Sequence, residues 1–259
     1  MSELTVPIRG AEMAVTRLDG PPGAAHSLVW AHGWGQSGQA FLGLAQSFSR
    51  MYPSSVVDFP GFGRSKPPPG TWGTADYADA VADWLPSLSP QSLIWIGHSF
   101  GCRVGLQIAA RHPGLLRGMI LIAAAGLPRQ RGFVETIKVK ARSRVFKLAS
   151  RLAPNEDARE RLRARFGSAD YRNAGAMRGI LVKVIQEDLT QVASTVRCPT
   201  LLLYGKQDTE TPPEIGERLV RLINGAELVV LDGYDHLDIL NRGQHQVATQ
   251  IRKFLDRLA

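Results

Sequence analysis

Six short apolar runs alternate along this chain with longer amphipathic patterns, and that alternation restricts the fold more than any other feature. The runs are Ser27–Ala31, Ser54–Asp58, Ser92–Ile96, Gly118–Ile122, Thr200–Tyr204 and Glu227–Leu231. Each is nearly continuous in Val, Ile, Leu or Trp, which suits parallel strands covered on both faces. Between them, Gly38–Ser49, Thr74–Leu85, Cys102–Arg111, Pro213–Ile223 and Gln244–Leu258 carry helical spacing. Strands alternating with helices predict a doubly wound, mostly parallel α/β sheet. Leu4–Leu18 reads as a preceding hairpin. At 259 residues the chain can bury one sizeable core.

The alternation breaks at residues 127–190. Strand-like runs vanish there, and Phe133–Leu152, Glu156–Phe166 and Tyr171–Glu187 take helical spacing, punctuated by Pro128 and Pro154. A helical insertion between two sheet strands is expected to be a lid, with residues 1–126 and 191–259 forming the core. The same segment holds the charge. Of 31 basic and 23 acidic residues, 15 and 7 lie there, so its +8 is the whole excess and the rest is balanced. A uniformly basic nucleic-acid binder would not concentrate its excess charge in one segment. In Phe133–Leu152, Lys140, Arg144, Lys147 and Arg151 flank an apolar stripe, with Lys138 and Arg142 on its other side. That pattern suits a solvated cationic rim, or else an anionic surface or an acidic acyl carrier as partner. No run of about 18 apolar residues occurs, so no transmembrane helix is expected. The opening residues lack a secretory pattern, which makes the cytoplasm the expected compartment. Cys102 and Cys198 are too few and too far apart for a disulfide framework or a metal site, and both read as core residues.

Gly97-His98-Ser99-Phe100-Gly101 directly follows the third apolar run, Ser92–Ile96, and opens a helical pattern. In that setting G-x-S-x-G is a nucleophile elbow: a tight strand-to-helix turn that lifts a serine hydroxyl clear of the sheet beside a helix N-terminus. A serine needs a base. His236, in Gly233-Tyr-Asp-His-Leu237 beyond the last strand, occupies a loop where open α/β sheets bind ligands. The imidazole needs a carboxylate to fix its tautomer, and Asp208 follows the Thr200–Tyr204 strand; Asp235 and Glu210 are the alternatives. His32 and His98 sit inside backbone motifs beside the site, whereas His26, His112 and His245 have no chemical context.

The order Ser99, Asp208, His236, together with His32-Gly33-Trp34-Gly35 and Asp58-Phe-Pro-Gly-Phe-Gly-Arg-Ser65, resembles the α/β-hydrolase superfamily over nearly the whole chain. The resemblance implies an oxyanion hole built from the backbone amides of Trp34 and Phe100. It also implies substrate contacts at Gly33, Gly35 and His98, and acyl transfer to water through an acyl-Ser99 intermediate with neither metal nor organic cofactor. A serine at the elbow separates the chain from branches that use aspartate there. Carboxylesterases, thioesterases, lactonases, perhydrolases and C–C bond hydrolases all combine these residues with a helical lid. The Gly33–Gly35 and Asp58–Ser65 stretches, with Leu93-Ile-Trp-Ile-Gly97, are also similar to pimeloyl-carrier methyl ester esterases. Ester or thioester hydrolysis is the leading expectation; a ligand-binding receptor of the same fold is the alternative from another class.

Overall fold

In a computed structural model, which describes residues 1–88, 92–130, 151, 155 and 169–258, the chain forms one eight-stranded sheet. The strands are β1 (Ser2–Ile8), β2 (Ala11–Leu18), β3 (Ser27–Ala31), β4 (Ser54–Asp58), β5 (Leu93–His98), β6 (Gly118–Ile122), β7 (Thr200–Gly205) and β8 (Ala226–Leu231). Their spatial order is β1-β2-β4-β3-β5-β6-β7-β8. The β1–β2 hairpin is antiparallel and joins β4 antiparallel; every pairing from β4 to β8 is parallel. All six expected strands and the hairpin are present. The fold is therefore the doubly wound, mostly parallel α/β sheet.

Side-chain alternation across the pleat divides the apolar residues between two cores. From β5, Trp95 enters one core with Val29, Leu121 and Leu202. Ile94 and Ile96 enter the other with Trp30, Ile120 and Leu203. Helices α2 (Thr74–Trp84) and α3 (Phe100–Arg111) close the first face through Tyr77, Val81, Val104 and Ile108. Helix α1 (Gln39–Phe48) closes the second through Phe41 and Phe48, together with the long C-terminal helix through Val247, Ile251 and Phe254. The edge strand β8 departs from a continuous apolar run, with Val230 turned outward. Only one of its sides is paired, so solvent takes the other.

Between β6 and β7 the described chain is helical: α4 (Ala169–Asn173), α5 (Arg178–Gln186) and α6 (Thr190–Thr195). The single helix expected over Tyr171–Glu187 is divided. Gly175 takes φ +49, and a 3-10 turn over Gly175–Met177 re-aims the chain before α5 begins. The expected helix Phe133–Leu152 lies outside the described residues apart from Arg151, and Glu156–Phe166 lies wholly outside them. After β7 come α7 (Pro213–Leu222), the short α8 (Asp238–Asn241) and α9 (Gln244–Leu258). Among the described residues no helix is long and apolar enough to cross a membrane.

Candidate active site

Parallel pairing in register brings the carboxyl ends of β3, β5, β6, β7 and β8 to one edge of the sheet. The loops that follow converge there, as open α/β sheets require of a ligand site. Ser99 stands at the central turn. Its amide donates to Ile122 O at 3.0 Å, which ties it to the end of β6, and its backbone then reverses with φ 46 and ψ −99. A non-glycine residue held there stores about 1–3 kcal/mol of strain, sustained by packing around the turn. Gly101 makes that packing possible, since a Cβ on it would lie 2.1 Å from Ala31 O. Its amide donates to His32 O at 3.1 Å, and its carbonyl accepts Trp95 Nε1–H at 2.9 Å. Helix α3 begins at Phe100, so that amide is among the first-turn donors that a helix leaves without an internal carbonyl.

His236 arrives in the loop after β8. Its Nδ1 lies 2.8 Å from Asp208 Oδ2. A carboxylate cannot donate, so Nδ1 carries the proton and Nε2 keeps its lone pair. Asp208 is itself saturated: Oδ1 accepts the amides of Glu210 and Thr211, both at 2.8 Å, and the Thr211 hydroxyl lies 2.9 Å from Oδ2. Burial alone would raise the Asp208 pKa, but the bonds from His236 and Thr211 hold it below the ordinary carboxylate value. For His236 the balance runs the other way. Burial lowers its pKa, yet the hydrogen bond and charge of Asp208 raise it above the ordinary imidazole value.

Of the two alternative carboxylates, neither reaches Nδ1. Asp235 Oδ1 accepts the amides of Leu237 and Asp238, and so starts α8. Glu210 Oε2 lies 3.7 Å from His236 Nε2, on the opposite side of the ring. Thr211 and Gln36 had no place in the sequence reading. The Asp208-Thr-Glu-Thr211 spacing carried a signal, because Asp side chains bond amides two and three residues on. Nothing marked Gln36.

A cleft of about 420 Å³ is lined by Gly33, Trp34, Gly35, Gln36, His98, Ser99 and His236. Gly33 N–H donates to Gln36 Oε1 at 2.9 Å, and a Cβ on Gly33 would sit 2.7 Å from both that oxygen and His98 Nδ1. Trp34 packs edge-on against Phe62 and Phe100, with centroids 4.8 and 5.6 Å away. His98 is 1% exposed and faces two acceptors, Gln36 Oε1 at 3.1 Å from Nδ1 and His236 O at 2.9 Å from Nε2; its single N–H serves one of them, and His236 O is the nearer. His98 sits between the Gln36 loop and the His236 loop and also lines the cleft. Burial, reinforced by His236, lowers its pKa to about 3, so it stays neutral. A second cleft, of about 610 Å³, also meets Ser99 and His236 and extends against Leu127, Leu181, Val184, Ile185 and Ile215. Among the described residues no cluster of three His, Cys, Asp or Glu side chains could hold a metal ion.

The alpha/beta hydrolase family model matches residues 28–250. The pimeloyl-[acyl-carrier protein] methyl ester esterase of Neisseria meningitidis is 28% identical over 242 residues, spanning 86% of this chain and 75% of that one. Its namesake from Chromobacterium violaceum is 27% identical over 86% of this chain and 91% of its own. An esterase from Thermogutta terrifontis superposes with TM-score 0.73 at 21% identity, covering 100% of this chain and 99% of the other. An enol-lactonase from Burkholderia xenovorans gives 0.74 at 22%, covering 98% and 100%. These two likenesses are of fold. The chain belongs to the alpha/beta hydrolase family, as a hydrolase whose curated relatives are ester-cleaving enzymes.

Proposed function

We propose that the chain is a serine esterase in which Ser99 is the nucleophile, His236 the general base and Asp208 the carboxylate that orients it. The observation that carries this reading is the 2.8 Å contact from His236 Nδ1 to Asp208 Oδ2, which frees Nε2 within the cleft that Ser99 also lines. His236 Nε2 takes the hydroxyl proton as Ser99 Oγ attacks the ester carbonyl carbon. The carbonyl oxygen becomes an oxyanion between the amides of Trp34 and Phe100, and Gly33 and Gly35 leave it room. A donor in such a position contributes about 3 kcal/mol. The imidazolium then protonates the departing alkoxide, leaving acyl-Ser99. Water, deprotonated by the same nitrogen, releases the acid.

Residues 127–190 are assigned as a lid, supported by Met177 in one cleft and Leu181, Val184 and Ile185 in the other. Their apolar surface suits an acyl chain. An acyl ester borne on an acidic carrier is the substrate class we favour. Two relatives are named for such a substrate, and residues 127–190 hold the whole +8. A reducing, cytoplasmic setting suits the two free thiols. The test is turnover of p-nitrophenyl butyrate together with fluorophosphonate labelling. Labelling with many turnovers is expected; labelling that stops at one equivalent of product identifies a receptor instead.

A further inference from the structure

Although the chain is basic, the charged side chains common to both active-site clefts are two carboxylates, while Arg103 and Arg129 line the second cleft alone. Glu210 and Asp170 line both clefts that meet at Ser99. Glu210 is the nearer to the chemistry, 3.7 Å from His236 Nε2 through a side chain 64% exposed. Its backbone amide serves Asp208, while its carboxylate faces the side of the imidazole where substrate reacts. We propose that Glu210 is a specificity-determining residue, whose charge on the substrate side of His236 selects acyl groups without negative charge near the scissile carbonyl.

The reasoning is electrostatic and rests on the esterase reading above. In the acylation transition state the imidazole becomes positive while negative charge grows on the carbonyl oxygen, which the oxyanion amides answer. An acyl chain ending in a carboxylate brings a second negative charge, and Glu210 opposes it. Two unit charges about 6 Å apart in water shift an equilibrium about threefold, and more where solvent is displaced. The charged groups around His236 and its clefts are Asp208 and Glu210 from the loop after β7, Asp235 from its own loop, Asp170 from α4, and, in the second cleft, Arg103 from α3 and Arg129 after β6; His98, packed on the ring at 4.9 Å, is neutral. Asp208 and Asp235 are each committed to backbone amides. Of the two carboxylates that line the clefts, Glu210 is the one that stands 3.7 Å from His236 Nε2, beside the reacting atoms.

The experiment compares p-nitrophenyl valerate with mono-p-nitrophenyl glutarate, which differ by a terminal carboxylate. The wild type, Glu210→Gln and Glu210→Lys are each assayed at 0.01 and 0.5 M salt. The expected result is a kcat/KM ratio of glutarate to valerate ester that rises about threefold or more in Glu210→Gln and further in Glu210→Lys. The gain should shrink at high salt, where the screening length falls to a few ångström. The acid limb of the pH profile should also move to lower pH in Glu210→Gln, because the imidazolium loses a partner; a merely structural residue would not move it. A ratio unchanged within twofold in both variants overturns the assignment. Failure of the wild type to hydrolyse either ester overturns the esterase reading and the assignment with it.

Discussion

At the scale of single residues, the site depends on which side of His236 each carboxylate occupies. Asp208 holds Nδ1 from below and is fixed there by three donors besides the histidine, whereas Glu210 stands on the Nε2 side. Only neutral imidazole can accept the serine proton, so kcat/KM should rise with pH through a pKa above the ordinary imidazole value, as the net effect of Asp208 requires. Asp208→Asn should lower kcat by about four orders of magnitude, since an amide can donate to Nδ1 and so favours the wrong tautomer. Thr211→Val removes one of the Asp208 donors and should cost about tenfold, the worth of one hydrogen bond to a charged group. A steady-state pH–rate series on the three proteins checks this; equal losses in Asp235→Asn and Asp208→Asn would reverse the assignment. Ser99 could be picked out as the candidate nucleophile because its motif is local. The acid was less legible, because Asp208 and His236 are 28 residues apart and the spacing alone admits Glu210 and Asp235.

At the scale of elements, α3 ties the turn at Ser99 to helix α5 of the segment between β6 and β7. Arg103, one turn beyond Ser99, donates from one guanidinium nitrogen to Val184 O at 3.1 Å and Glu187 O at 3.3 Å, at the C-terminal end of α5. Glu187 in turn accepts the amide of Thr74 at 3.0 Å, and the Thr74 hydroxyl as well, at the start of α2. Gly73 precedes that helix and has no side chain to cap it, so a carboxylate from the segment between the strands takes that part. Arg103→Ala should therefore loosen α5. We expect an unfolding free energy lower by about 1–3 kcal/mol, faster amide exchange over residues 178–189, and a rise in KM larger than the fall in kcat. Exchange confined to other segments would contradict this coupling. The strands themselves were readable from their apolar runs, to within two residues at the active edge. Helix α8 and the division at Gly175 were not, since four residues are too few for a periodic pattern and a glycine inside one reads as tolerated.

At the scale of the whole molecule, the alternation of strands and helices announced the class of sheet but not its order. Strand β4 lies between β2 and β3, and β5 crosses to the other side of β3. Those neighbours are set by crossover connections and by which faces the helices cover, neither of which leaves a mark within a single apolar run. The consequence is chemical. Because β5 is central, Ser99 emerges between the loops of β3 and β6, and the loops after β7 and β8 bring Asp208 and His236 from one flank. The sheet order thus places the Gly33–Gly35 loop on one side of Ser99 and His236 on the other, as the proposed mechanism requires. That arrangement has one direct test: identify the covalent intermediate. Rapid acid quench of the protein turning over a p-nitrophenyl ester, followed by peptide mapping, should place the acyl mass on the peptide containing Ser99 and abolish it in Ser99→Ala. An acyl group on any other residue, or continued turnover by Ser99→Ala at the wild-type rate, would contradict the account.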